Sequence, residues 1–433
     1  MTRRTRLAVP GPTLWVVGAG VGAWVLLSTQ ALMGWAYADW VAASALTREA
    51  LVYAGPWVAG CCAWTAGRFL GSRSILCPPS AARSGIRVVG SQLLLLWSAA
   101  LAGYLVGLLP MLVSITLRAE SGSLNWLVLA GSVAVLLAFA SVGYLIGCVM
   151  PRAVSVVVAV VASFGAVLLV DFWGFAVAPL WLTTPAAGEY EGGVISVFRA
   201  VFFTSLTLLL AWAASNVVAS RTTVLNASSY FGLLILVPLL MVGGAAKASA
   251  PPALLKEANP ASRCQSVHGT PVCVHAAKGA LLTPLAKTVD RVLASVGYDP
   301  AVPISEVRDA SLSPGQGPDV MTLQLQTDTQ GQWMDWAAGD LAARISGQQA
   351  CAQRGDFFGA QVSPALDQAA VAEAFSTWIA RSAGFAPPQL NDNASATALA
   401  SRLEGLPPAQ VQALYHRLAP QLARCELSSK TLP

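Results

Sequence analysis

Charge is what this sequence has least of. Only 11% of its 433 residues are Asp, Glu, Lys or Arg, against about 25% in ordinary soluble domains. With 55% apolar residues and a mean hydropathy of +0.60, this excludes a chain that is water-soluble throughout. Lysine occurs 5 times against 21 arginines, and histidine 3 times. No Gly-x-x-x-x-Gly-Lys-[Ser/Thr] loop is present, so the chain cannot cradle nucleotide phosphates by itself. His-Glu-x-x-His and Gly-x-Ser-x-Gly are missing too, and no nucleophile is paired with a histidine. The sequence therefore points to no enzymatic activity and to no cofactor.

The shortage is uneven. Residues 1–246 hold 12 basic and 6 acidic side chains, whereas residues 247–433 hold 14 and 15. The first part is composed like a membrane domain and the second like a water-soluble one. The net charge of +5 comes from the membrane part, which favours a topology signal over a nucleic-acid surface. The excess of arginine, with abundant Ala, Val and Leu, suggests a GC-rich bacterial genome and hence a bacterial plasma membrane.

A helix needs about 20 apolar residues to cross a bilayer core of roughly 30 Å. Segments of that kind recur at Leu7–Ala38, Ala50–Gly67, Val88–Leu117, Ser121–Pro151, Ala153–Val170, Ala200–Ser220 and Thr222–Ala246. Arg3, Arg4, Arg6, Arg68, Arg73, Arg83, Arg87, Arg152 and Arg221 fall on one side of the spans, with no acid among them. The other side carries Asp39, Glu49, Glu120, Asp171, Glu189 and Glu191 against Arg48, Arg118 and Arg199. Arginine-rich loops stay in the cytoplasm, so the N-terminus is expected inside and everything beyond residue 247 outside. Trp35, Trp40, Trp126, Trp173 and Trp181 fall near the outer ends, where indoles anchor well. Asp171 comes 19 residues after Arg152, far enough along to reach the interface at about 1.5 Å per residue. Arg3-Arg4, the apolar run and Ala36-Tyr37-Ala38 also have the parts of a signal peptide, but the run is long for one and an uncleaved first span is the reading taken.

The expected fold class is thus an all-α polytopic membrane domain of about seven transmembrane helices (1–246), a linker (247–262) and a small α+β extracytoplasmic domain (263–433). The spans carry small hydroxyls such as Ser98, Ser114, Ser141 and Ser163 rather than the ionisable groups an ion-coupled transporter needs. Glycines one turn apart recur at Gly18/Gly22, Gly103/Gly107 and Gly143/Gly147, a spacing that lets another backbone come close. The partner face is either another helix of the same chain or a dimer seam. Pro110 is expected to kink the third span. The segment Gly71–Arg87 carries Arg73, Arg83 and Arg87 around Pro78-Pro79, and reads either as a basic topology-setting loop or as a docking surface for a cytosolic partner.

In the second part, Arg263–Ala276 reads as a hairpin turning at Gly269-Thr270-Pro271. Met321–Gln326 alternates like a strand. Leu281–Val296, Trp333–Ile345, Asp367–Ala383, Ala396–Leu406 and Ala409–Leu418 have helical periodicity. Cys264, Cys273, Cys351 and Cys425 lie on the expected oxidising side, which favours disulfides. Of the three possible pairings, Cys264–Cys273 with Cys351–Cys425 suits the pattern best; a Cys264, His268, Cys273, His275 metal set is the alternative. Trp333, Trp336 and Trp378 line either a cleft or the core. His416 reads as a solvated helical histidine.

Gly143–Arg152 resembles the tight inner turn between spans four and five in the membrane subunits of type-2 ABC exporters, and Gly71–Arg87 resembles their ATPase-facing segment. The resemblance covers roughly residues 1–221. It implies a permease-like subunit, working as a homodimer or heterodimer in the lipid bilayer with a separate cytosolic ABC ATPase docked on Arg73, Arg83 and Arg87. A seventh span and an external domain are additions to that pattern, and little chain precedes the first span to form the family's amphipathic helix. Val272-Cys273-Val274-His275 with the later Leu406-Pro407-Pro408 and Cys425 is similar to external domains of actinobacterial membrane proteins. The alternatives are a membrane-anchored extracytoplasmic sensor or binding protein without transport and, after it, a membrane-bound hydrolase.

Overall fold

The computed structural model describes residue 9 and residues 11–432, apart from positions 36, 38, 70–83, 121, 169–177, 179, 181–184, 186, 221–253, 313–316, 318, 326–331, 355–362 and 387–393. It divides into two compact units, one of Met1–Met33 with Asp39–Lys256, the other of Gly34–Ala38 with Glu257–Pro433.

The first unit is helical: α1 (Gly11–Met33), α2 (Trp40–Glu49), α3 (Leu51–Phe69), α4 (Ser84–Arg118), α5 (Trp126–Val149), α6 (Arg152–Leu168) and α7 (Gly193–Ser220). Among the described residues, four stretches are long and apolar enough to cross a membrane: Gly11–Met33, Arg87–Arg118, Trp126–Val149 and Gly193–Val218. The 24 residues of α5 extend about 36 Å at 1.5 Å per residue. The second expected span, α3, is not among the four, and the fifth, α6, is apolar but has only 17 residues. The seventh expected span, Thr222–Ala246, lies outside the described residues. So do Asp171, Trp173 and Trp181.

Polar side chains start the helices where an apolar run alone would not. Asp39 caps α2 by accepting from the Val41 amide, and Asn125 caps α5 by accepting from Leu127 and Val128. Such caps satisfy donors that a helix start leaves open. Between α5 and α6 only Met150 and Pro151 intervene. Proline has no amide to continue the first helix and suits the start of the next. Pro110 lies within α4, which runs unbroken on both sides of it. α1 packs on α4, α3 on α5 and α6, and α5 on α7. Two short strands, β1 (Glu189–Glu191) and β2 (Leu254–Lys256), pair antiparallel. Part of the segment expected to be linker is therefore strand.

The second unit is α+β. Strands β3 (Ser262–Val267), β4 (Thr270–His275), β5 (Glu306–Asp309) and β6 (Val320–Leu323) form one sheet in that order. β3 and β4 are antiparallel, while β4–β5 and β5–β6 are parallel. A parallel pair needs a crossover. Between β4 and β5 it is a 3₁₀ turn (Ala276–Leu281) and helix α8 (Leu282–Ser295). α8 buries Leu285, Val289 and Val292, one stripe at helical spacing. Helices α9 (Trp333–Ile345), α10 (Gln348–Arg354), α11 (Ser363–Ser382), α12 (Ala394–Glu404) and α13 (Pro408–Ala423) complete the unit. Its core joins Val272, Val274, Val307 and Leu323 of the sheet to Leu341, Phe375, Ile379 and Tyr415 of the helices. The Tyr415 hydroxyl donates to the Ile345 carbonyl at 2.8 Å and accepts from the Ala301 amide at 2.6 Å.

The hairpin differs from expectation at its turn. The chain reverses at His268-Gly269, both with positive φ, and Pro271 already pairs with Ser266. Two consecutive left-handed residues make the turn whose twist suits a two-residue hairpin. Proline is tolerated there because it sits at the start of β4, ahead of Val272 where pairing with β5 begins.

Candidate functional site

Charge distribution in the sequence places Arg48, Glu191 and Arg199 in outer loops. In the structure the three lie in regular elements rather than open loops. Arg48 lies in α2, Arg199 in the first turns of α7, and Glu191 in β1, and all are buried. The span expected at Ala200–Ser220 thus begins earlier, at Gly193, and carries Arg199.

The site is built from α2 outward. Ser44, Thr47 and Arg48 are three and four residues apart and share a helix face. The Ser44 hydroxyl accepts from the Asn125 amide at 3.0 Å, which ties α2 to the start of α5. Thr47 reaches Ser132 of α5 at 3.4 Å, and its carbonyl accepts from the Tyr104 hydroxyl of α4 at 2.6 Å. Arg48 Nη1 donates to Glu191 Oε2 at 2.6 Å. The other carboxylate oxygen accepts from the Ser196 hydroxyl of α7 at 2.9 Å. Arg199 is attracted by Glu191 and repelled by Arg48. α2 is in this way bonded to α4, α5, β1 and, through Glu191, α7.

Beside the ion pair is a cavity of about 230 Å³, lined by Ser44, Ser123, Asn125, Pro185, Tyr190 and Glu191 among others. Hydroxyl, amide and carboxylate groups face it, so a polar group entering would find both donors and acceptors. Ion pairs in such surroundings cost several kcal/mol of desolvation per ion before attraction offsets it. Bare helical anchors have no need of one.

The other expected sites fall as follows. Gly18 and Gly22 of α1 face Ala99 and Gly103 of α4, and a Cβ on Gly103 would run into the Gly18 carbonyl oxygen. Gly107 meets Gly22 and Val25 in the same contact. Gly143 and Gly147 of α5 lie on the backbone of Ala59 and Ala63 of α3. All three glycine pairs are thus occupied by helices of the same chain. Arg73 and Arg83 lie outside the described residues, while Arg87 is exposed in the first turn of α4.

Cys264 is joined to Cys273, and Cys351 to Cys425. The first bond takes up both thiols of the metal alternative. Its two histidines lie at opposite ends of the hairpin: His268 sits at the turn, 3.2 Å from Asp290. His275 ends β4, accepts from the Ala277 amide at Nδ1 and faces Glu257 with Nε2. Trp333 and Trp378 belong to the core, and His416 is partly exposed, 3.6 Å from Asp299.

No protein-family model, no curated protein and no solved structure matches the chain.

Proposed function

We propose that this chain is a permease-like membrane subunit of an ABC transporter, an exporter energised by a separate cytosolic ATPase. One observation carries the reading: the buried Arg48–Glu191 pair inside an apolar helical unit. Burying such a pair costs desolvation that anchoring alone does not require, which supports a functional role for it. The close-packed glycine contacts and the two-residue α5–α6 turn support the same reading.

In this proposal the N-terminus is cytoplasmic, the helices span the plasma membrane and the disulfide-bearing unit is extracytoplasmic. The ATPase pushes on the segment ending at Arg87, and the helices rock between inward and outward states. The Arg48–Glu191 pair holds the outer side closed, and the polar cavity beside it opens when the pair parts. The second reading is a membrane-anchored extracytoplasmic sensor or binding protein. It is favoured by the self-contained core and two disulfides of the second unit.

The full chain, tagged and isolated from its native membranes after mild crosslinking, tests both. The transporter reading expects a nucleotide-binding protein with a phosphate loop to co-purify and to hydrolyse ATP. Replacing Arg73, Arg83 and Arg87 by Glu is expected to remove it. A complex lacking any ATP-hydrolysing partner, or one that survives the triple replacement, overturns the reading or its docking site respectively. An alkaline phosphatase fused after Pro433 is expected to be active, and an inactive fusion overturns the orientation.

A further inference from the structure

An apolar trough of about 400 Å³ runs between α1, α3 and α6, lined by Val16, Trp57, Gly60, Trp64, Val156 and Val160 among others. Its floor is made by small residues. Trp57 lies across α1 where Gly20 has no side chain, and its Nε1 donates to the Val16 carbonyl at 3.4 Å. Gly60 leaves room opposite Val160. Such a trough facing hydrocarbon does not stay empty: lost dispersion contacts disfavour a void, and water finds too few polar partners on these walls.

A cation stands just beyond the lining of the trough. Arg152, Val156 and Val160 are four residues apart, so they form one stripe down α6. The Arg152 guanidinium lies over the Trp64 ring, 3.2 Å from its centre. A stacked guanidinium keeps its N–H edge for a planar or tetrahedral anion, and phosphate fits that edge with two parallel bonds. Arg152 is half-exposed at the start of α6, within reach of a headgroup. An apolar channel of ligand size with a phosphate-binding cation just beyond its lining matches an amphiphile with an anionic head.

We propose that this trough is a binding site for one anionic phospholipid, its acyl chain between α1, α3 and α6 and its phosphate on Arg152. The inference does not depend on transport by this chain. It differs from general lipid contact in requiring a particular headgroup charge at a particular arginine.

Native mass spectrometry of the delipidated full chain tests it, with phosphatidylglycerol and phosphatidylcholine of identical acyl chains as probes. Phosphatidylglycerol is expected to remain bound at collision energies that strip phosphatidylcholine. Arg152→Gln is expected to weaken it on the order of tenfold, the loss of one charge-assisted contact. Val156→Trp, which fills the trough, is expected to abolish retention, while Val157→Trp on the neighbouring face leaves it intact. If Val156→Trp does not fold, Val160→Phe carries the same expectation. Equal retention of both lipids, or unchanged retention in Arg152→Gln, overturns the proposal. So does displacement of the lipid by glycerol phosphate alone, since a headgroup site would then suffice without the trough.

Discussion

Arg48 is tolerated at 2% exposure because Glu191 is held against it from another part of the chain. Removing Glu191 leaves Arg48 and Arg199 buried beside each other without their shared counter-charge, which typically costs about 3–5 kcal/mol. Glu191→Leu is therefore expected to lower the thermal stability of the detergent-purified chain severely. Combining it with Arg48→Met removes one of the two repelling cations and should recover part of that loss. A double replacement as unstable as the single one would show that the pair is not the source. The two residues are 143 apart in sequence, and nothing in a single sequence couples them. The signal that goes unread there is the Ser44, Thr47, Arg48 spacing after the Asp39 cap, a polar helix face in a stretch taken as loop. A second residue carries a pH signature. Hydrogen bonds from Ser429, through side chain and backbone, and from Ser428 hold the Asp367 carboxyl below its usual range, with Lys430 adding to the effect. A depressed value stabilises the fold above the unfolded carboxylate pKa of about 3.9, and the contribution is lost as pH falls through the folded value. Melting of Asp367→Asn against the parent should show a gap at pH 7 that closes below about pH 4.

At the scale of elements, the helix contacts turn on which glycines are covered. Gly103 and Gly90 both lie in α4, yet a Cβ meets a backbone oxygen at the first and nothing within 4 Å at the second. Gly103→Ala must push α1 away from α4, and overpacking of this kind costs typically 1–3 kcal/mol, a range here only about as large as the clash demands. Gly90→Ala should be neutral or slightly stabilising, since alanine is the better helix former. Similar melting temperatures for the two variants would contradict this packing. These contacts explain why the long elements were readable: apolar runs and glycine spacing survive in a single sequence. α9 follows its periodicity from Trp333 to Ile345. Strand β5 escaped because four residues, Glu306-Val307-Arg308-Asp309, carry three charges and look like a turn. They are strand because β4 and β6 bond to them on both sides, a tertiary reason that overrides local preference.

For the molecule as a whole, the two disulfides are unequal. Cys264–Cys273 spans 9 residues and Cys351–Cys425 spans 74. Loop-closure entropy then assigns about 2.7 kcal/mol to the first and about 4.5 kcal/mol to the second. Replacing Cys351 and Cys425 by Ala should cost more stability than replacing Cys264 and Cys273, by roughly 2 kcal/mol. Equal midpoints in denaturant would show that native packing, not chain constraint, sets the difference.

The same inequality has a bearing on how the polypeptide is made. Synthesis is vectorial, and a turn of two residues brings Cys264 and Cys273 together as soon as the hairpin leaves the ribosome or translocon. Two of the four thiols are then withdrawn from exchange before Cys351 emerges. When Cys425 follows, Cys351 is the one thiol left for it within this unit, so the order of arrival favours the native pairing.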